Sequence, residues 1–209
     1  MILDQIGSKQ ESGQALKPFE SFLKQISMCL RCGSEDLIGP SLYVLQNIVI
    51  WGRVAYSNKK LLEEALLLDV VPSLVHLLQT GSNPAIKNAA IECMLYTSHY
   101  DKVKGAFRHC FGFVVLISLL RQKAQKFSSL NKKSGSLGLK KSVTQLLLLT
   151  ESLLLKNLKN VKEFLDKKGA EALKALLQQL STNKDNLLAH ISKILWISTQ
   201  IMIFNFYHL

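Results

Sequence analysis

Apolar residues three and four positions apart fill four long stretches of the chain. These are SLYVLQNIVIWG (41–52), AIKNAAIECMLYTS (85–98), SVTQLLLLTESLLL (142–155) and NLLAHISKILWIST (186–199). This spacing puts apolar side chains on one side of an α-helix, so each stretch is predicted to form a helix of about three to four turns. No segment shows sustained alternation of apolar and polar residues, and the pattern therefore predicts no β-strand.

Shorter apolar segments recur between the long stretches. LLLDVVPSLVHLLQ (66–79), HCFGFVVLISLLRQ (109–122) and DKKGAEALKALLQQL (166–180) share one pattern, and LKPFESFLKQISMCL (16–30) is a weaker copy. The first copy precedes the second by 42 residues, and the second precedes the third by 57 residues. The aligned positions are Pro72, Leu74, Val75, Leu77 and Leu78, then Val114, Leu116, Ile117, Leu119 and Leu120, then Glu171, Leu173, Leu176 and Leu177.

A repeating unit of three helices follows from these patterns. Charged segments at 58–67 and 159–168 come just before two of the shorter copies. The predicted order is therefore a short, a medium and a long helix, and such units must stack to bury their apolar sides. Helix starts are predicted at the Gly-Pro-Ser of 39–41 and the Ser-Asn-Pro of 82–84, because proline fits the first turn of a helix.

The extra length before the third copy coincides with KFSSLNKKSGSLGLKK (126–141). This segment is rich in Ser, Gly and Lys and has no apolar periodicity, so it is predicted to be a mobile basic insertion. The predicted organisation is a flexible N-terminus at 1–15, one repeat domain at 16–200 and an apolar C-terminal tail at 201–209.

The 42-residue unit and the three-helix order resemble the armadillo repeat. The phrase LLLDVVPSLVHLLQTGSNPAIKNAAIECML (66–95) is similar to the family's second and third helices, and YVLQNIV (43–49) is similar to its Trp-Ala-Leu-Ser-Asn-Ile pattern. The resemblance implies an all-α fold, a right-handed α-solenoid of about three to four armadillo-type repeats. In such a fold the third helices line a concave groove.

The resemblance also implies groove residues. Tyr43 and Asn47 stand at the family's Trp and Asn positions, and the aligned positions further along are Tyr96 and Trp196. Importin-type members hold an extended peptide with successive Asn residues, but only Asn47 matches here, so a lysine-rich import signal is not the expected ligand. Aromatic and amide side chains still suit a helix or an extended segment of a protein partner. The alternative for Trp196 is packing in the core between repeats.

Charge suggests a second function. The chain carries 26 Lys and Arg against 15 Asp and Glu, a net charge of +11, which favours acidic partners. Seven cationic residues without an acid lie in the segment 121–141, namely Arg121, Lys123, Lys126, Lys132, Lys133, Lys140 and Lys141. They could neutralise the phosphates of nucleic acid or of an anionic membrane. An import signal, phosphorylation sites or a solvated insertion are the alternatives for this segment.

Residues with reactive side chains form no recognisable catalytic pattern. Cys29 and Cys32 make a CxxC at a predicted helix end, without the further ligands that zinc requires. His76 lies among leucines, and no nucleophile elbow or phosphate loop is present. We therefore expect no enzyme activity, no cofactor and no metal. The leading hypothesis is a non-enzymatic protein–protein interaction scaffold within a larger assembly.

The two ends of the chain bear on location and association. The N-terminus lacks the pattern of a signal peptide, so a cytoplasmic or nuclear protein is expected rather than a secreted one, with the centrosome or cilium as alternative locations. The last sixteen residues, ILWISTQIMIFNFYHL, contain no Lys, Arg, Asp or Glu. Self-association through this apolar end, with Ile201, Ile203, Phe204 and Phe206, is expected, and membrane contact is the alternative.

Overall fold

The computed structural model describes residues 12–55, 70–129, 136–180 and 186–206, and every described element is an α-helix. The fold is therefore all-α over these ranges, as the periodicity predicts. The helices are α1 (Ser12–Arg31), α2 (Glu35–Ala55), α3 (Val70–Thr80), α4 (Pro84–Thr97), α5 (Asp101–His109), α6 (Gly112–Ser129), α7 (Ser136–Leu154), α8 (Leu158–Asp166), α9 (Gly169–Leu180) and α10 (Asn186–Phe206). The predicted helix at 58–67 and the side chains of the apolar tail at 201–209 lie outside what is described.

The start of α4 follows from its sequence. Asn83 is the N-cap, and its side-chain oxygen accepts a hydrogen bond from the Ala85 N–H at 2.9 Å. Pro84 occupies the first turn, where an N–H group would have no acceptor within the helix, so the missing N–H of proline costs no hydrogen bond. The predicted start at 82–84 is confirmed.

The predicted start of α2 at 39–41 is wrong. The helix begins at Glu35, and Pro40 lies inside it. The carbonyl of Ser34 accepts hydrogen bonds from the N–H groups of Leu37 and Ile38, at 3.1 and 3.0 Å, which closes the first turn upstream of the proline. The acidic residues of this turn are favourable at the positive end of the helix dipole.

The helices also extend further into the basic segment than predicted. α6 continues to Ser129 and α7 begins at Ser136, so both ends of the 126–141 segment are helical, and only 130–135 lies outside the described residues. Phe127 and Leu139 are partly buried against the core. These two apolar anchors hold both ends in helices that Ser, Gly and Lys alone would not predict. In the same way α1 begins at Ser12, inside the predicted flexible N-terminus.

The helices pack in three rows. α1, α3, α6 and α9 contact one another in that order, and so do α2, α4, α7 and α10. The third row consists of the short helices α5 and α8. The core lies between the rows, where the aligned leucines Leu74, Leu116 and Leu173 are all fully buried. The aligned positions are not equivalent throughout, since Leu78 and Leu120 are buried whereas Leu177 is 37% exposed.

Two turns have the same geometry 57 residues apart. Phe111 and Lys168 connect α5 to α6 and α8 to α9, and both adopt left-handed backbone angles, with φ of 59° and 64°. Each turn is followed by a buried glycine that faces a phenylalanine of the preceding short helix. A backbone hydrogen bond between residues three positions apart closes each turn. The Phe111 N–H donates to the carbonyl of Arg108, and the Lys168 N–H donates to the carbonyl of Leu165.

Candidate partner-binding surface

The long helices α2, α4, α7 and α10 form one continuous surface, which we call the long-helix face. These helices lie side by side, and each contacts the next in the row. Their inner sides contribute buried leucines and isoleucines to the core. The groove residues predicted from the sequence lie on three of these helices, α2, α4 and α10.

Tyr43 and Trp196 are the most exposed of the predicted groove residues. Tyr43 on α2 is 67% exposed and Trp196 on α10 is 61% exposed. Trp196 therefore does not pack in the core, and that alternative does not describe this structure. The two aromatic side chains lie on the outermost helices of the row, with α4 and α7 between them.

Asn47 and Tyr96 are more constrained. The side-chain amide of Asn47 donates a hydrogen bond to the carbonyl of Tyr43, one turn earlier in α2, at 3.0 Å. Tyr96 on α4 is half-buried and packs against the core. Of the four predicted residues, Tyr43 and Trp196 offer the largest exposed area for a partner.

A polar ladder joins three of the long helices. Gln46 of α2 donates a hydrogen bond from Nε2 to Glu92 of α4 at 3.2 Å, and Gln145 of α7 donates to the other carboxylate oxygen of Glu92. The ladder holds a half-buried carboxylate between two amides and fixes its orientation. Gln145 Oε1 is buried without a hydrogen-bond partner in the described part of the chain.

A charged cluster continues the ladder between α7 and α10. The carboxylate of Glu151, with a side chain 13% exposed, is hydrogen-bonded to His190 Nδ1 at 3.3 Å and forms an ion pair with the Lys193 ammonium. Trp196 follows Lys193 by about one turn of α10. Sequence reasoning missed the ladder and the cluster, although polar residues such as Gln46 and Gln145 inside otherwise apolar helices were the available signal.

The predicted basic residues divide between two places. Arg121 reaches the α8–α9 turn, where its Nη2 donates to the carbonyl of Lys168 at 3.4 Å. Lys123 instead lies near two other lysines, Lys126 on the same helix and Lys87 of α4. Burial lowers the pKa of Lys123, and the neighbouring charges of Lys126 and Lys87 lower it further. Lys140 and Lys141 are on α7, and Lys132 and Lys133 lie outside the described residues.

The four cysteines differ in burial: Cys93 is buried, Cys29 and Cys110 are half-buried, and Cys32 is exposed. Cys93 is buried and donates from Sγ to the carbonyl of Leu42 at 3.5 Å. Burial, helped by the charge of Glu92, raises the pKa of Cys93 to about 12, so its thiol stays protonated and unreactive near neutral pH. Cys29 and Cys32 are free thiols. Among the described residues no group of three or more His, Cys, Asp or Glu is placed to hold a metal ion.

Comparison with known proteins identifies no relative, so the function is argued from the sequence and the geometry. No protein-family model matches the chain, and no curated protein sequence matches it. Within the described ranges no single helix has the length and hydropathy of a membrane span, and α5 and α6 meet that test only as a pair bent by 79°.

Proposed function

We propose that this chain is a non-enzymatic interaction scaffold that holds a segment of a partner protein across the long-helix face. In this proposal the three rows of helices are a right-handed α-solenoid of armadillo-type repeats, and the long-helix face is its concave groove. The recurrence of the turn geometry after 57 residues and the stacking of like helices support this arrangement.

The observation that carries the proposal is the exposure of Tyr43 and Trp196 on the two outermost helices of the long-helix row. Large exposed aromatic side chains are enriched where proteins bind each other, because they bury much area at a low cost in entropy. The polar ladder and the Glu151 cluster lie between them, and they offer hydrogen bonds that can fix the register of a partner.

The spacing of the helices indicates what the partner segment is like. Packed helix axes lie about 8–10 Å apart, so α2 and α10 are separated by roughly 25–30 Å across the row. An extended chain advances about 3.3 Å per residue, and a segment of about eight or nine residues therefore spans the distance. We infer an extended segment with an apolar side chain near each end.

Site-specific photocrosslinking in cells tests this function. A photoreactive phenylalanine is placed at Tyr43 or at Trp196, and Phe111, which is 71% exposed in the α5–α6 turn, serves as the matched aromatic control. We expect the same partner to be captured from Tyr43 and from Trp196 and not from Phe111. Capture that is equal at all three positions, or unrelated partners at the two groove positions, would contradict a shared groove.

Substitution then measures the contribution of the aromatic side chains. The double variant Tyr43→Ala with Trp196→Ala should weaken retention of that partner by at least about thirtyfold, since two anchors of about 1 kcal/mol or more are lost. Phe111→Ala should leave retention unchanged. Unaltered binding by the double variant would show that the partner does not bind at the long-helix face.

The second candidate function is an adaptor for nucleic acid or an anionic membrane through the basic residues of 121–141. The proximity of Lys123 to Lys126 and to Lys87 favours it, because it concentrates positive charge in one place. Salt separates the two functions. Binding driven by phosphate contacts falls steeply between low and physiological salt, whereas retention by the aromatic groove residues should change little.

A further inference from the structure

A cavity of about 420 Å³ lies where the start of α4, the second half of α6 and the start of α7 come together. We call it the lysine cavity. Its polar lining consists of Asn88, Lys123, Lys126 and Ser142, and its apolar lining includes Pro84 and Leu139. This volume falls within the range of small-molecule sites in proteins.

Positive charge in the lysine cavity comes from α6. Lys123 and Lys126 lie on the wall contributed by this helix. Lys87 of α4 is not part of the lining, and its side chain packs against Gly81, although its charge is close enough to lower the pKa of Lys123. Two like charges held side by side repel each other, so an anion placed between them is favoured by both.

Neutral donors complete the lining. The hydroxyl of Ser142, which is only 3% exposed, donates to Asn88 Oδ1 at 3.1 Å. This hydrogen bond orients the Asn88 amide and leaves its Nδ2 group as the donor end. Among the described residues no acidic side chain lines the cavity. Glu92 lies one turn further along α4, but Gln46 and Gln145 already donate to its two carboxylate oxygens.

We propose that the lysine cavity binds a phosphomonoester group carried by a small molecule or a lipid headgroup. Lysine recognises phosphate as a point charge, without the planar fork by which arginine matches carboxylates. A doubly charged, tetrahedral phosphate suits two ammonium groups with an amide donor. The cavity is larger than a phosphate ion, which leaves room for the ring or chain that carries the phosphate. The proposal is independent of partner binding at the long-helix face.

Two probes distinguish the sources of the phosphate. Inositol 1,4,5-trisphosphate in solution is titrated calorimetrically, and vesicles of phosphatidylcholine containing phosphatidylinositol 4,5-bisphosphate are tested by co-sedimentation. Binding of the soluble probe alone indicates a small-molecule ligand, and binding only to the vesicles indicates a headgroup. Either result supports the site, provided that it depends on the cavity residues. If the full chain binds neither probe, the proposal is overturned.

Matched variants show whether the cavity is responsible. Lys123→Gln and Lys126→Gln should each weaken binding of the positive probe by about tenfold, the effect of losing one charge-assisted contact. Lys162→Gln on α8, an exposed lysine on another helix, changes the net charge equally and should alter binding by less than about twofold. An equal loss in all three variants would mean attraction to net charge alone, and the site would be rejected.

A third variant separates geometry from charge. Ser142→Ala keeps every lysine but removes the hydroxyl that orients Asn88. It should weaken binding by roughly threefold to tenfold while circular dichroism shows unchanged helicity. Unchanged affinity in this variant, together with full sensitivity to Lys123→Gln and Lys126→Gln, would overturn the assignment of Asn88 and Ser142 to the site.

Discussion

The α5–α6 and α8–α9 turns are two versions of one structure built from different residues. The first turn passes through Phe111 and the second through Lys168, yet both residues have left-handed backbone angles. What the two turns share is the buried glycine after them and the phenylalanine below that glycine. The comparison teaches that steric fit beneath the turn, and not the exposed residue at its apex, defines this connection.

The short helices before the two turns differ at two buried positions, where Lys104 of α5 corresponds to Val161 of α8 and Val103 corresponds to Asn160. Val103 of α5 and Asn160 of α8 are 57 residues apart, and both are fully buried. Asn160 donates from Nδ2 to the carbonyls of Lys104 at 3.2 Å and Leu153 at 2.9 Å, and its Oδ1 accepts from Arg108 at 2.9 Å. A polar residue thus replaces an apolar one where α8 meets α5, and it joins the two helices.

The largest expected loss of stability comes from replacing Asn160 with valine, the residue at the equivalent position of α5. Asn160→Val removes the partners of two buried carbonyls and of the Arg108 guanidinium, each worth about 1–3 kcal/mol. We expect a loss of about 3 kcal/mol in the free energy of unfolding, which corresponds to a fall in Tm of roughly 6–12 °C. Thermal denaturation followed by circular dichroism measures it.

Asn157→Ala is the control for this substitution. Asn157 is the N-cap of α8 and accepts a hydrogen bond from the Asn160 N–H. Its replacement should cost only about 1 kcal/mol. Equal losses in Asn157→Ala and Asn160→Val would indicate that Asn160 contributes only through the helix end, and not through its contacts with α5.

Much of the helical framework could be predicted from the sequence because it depends on local periodicity. The leucines at 74, 116 and 173 were aligned by pattern, and all three are buried as core residues. Helix ends were predicted well only where a capping residue is present, as at Asn83. The start of α2 was missed because Pro40 indicated a helix start, whereas the acidic first turn begins five residues earlier at Glu35.

The candidate sites were less predictable because they depend on packing between distant segments. The exposure of Tyr43 and Trp196 agrees with their positions in the aligned long helices. The proximity of Lys87 to Lys123, by contrast, requires α4 to lie near α6, which no local pattern contains. The contact between Arg108 and Asn160 has the same origin, since the pair is separated by 52 positions in the chain.

Alanine substitution of the glycines beneath the two turns should give the next largest loss of stability. A Cβ added at Gly112 would lie 2.6 Å from the Phe107 ring, and one at Gly169 would overlap the Phe164 ring in the same way. Gly112→Ala and Gly169→Ala should each cost about 1–3 kcal/mol through overpacking. Chemical denaturation should show similar losses for the two.

Gly105 provides the opposite control for both glycine variants. It lies inside α5, and a Cβ there meets nothing within 4 Å. Gly105→Ala should therefore stabilise the chain by about 0.5–1 kcal/mol through higher helix propensity. A tolerated alanine at one of the two turn glycines but not at the other would show that the turns do not share the same steric requirement.

The smallest effect tests the residues at the apex of the turns. A side chain in the left-handed region costs about 1–2 kcal/mol relative to glycine, whereas glycine loses more entropy on folding. Phe111 is 71% exposed and Lys168 is also exposed, so little packing is lost when either is replaced. Phe111→Gly and Lys168→Gly should therefore each stabilise the chain by about 0.5–1 kcal/mol, seen as a rise in the denaturation midpoint with an unchanged slope. Destabilisation by Lys168→Gly alone would mean that the Lys168 side chain contributes to its turn, and the two apexes would then not be interchangeable.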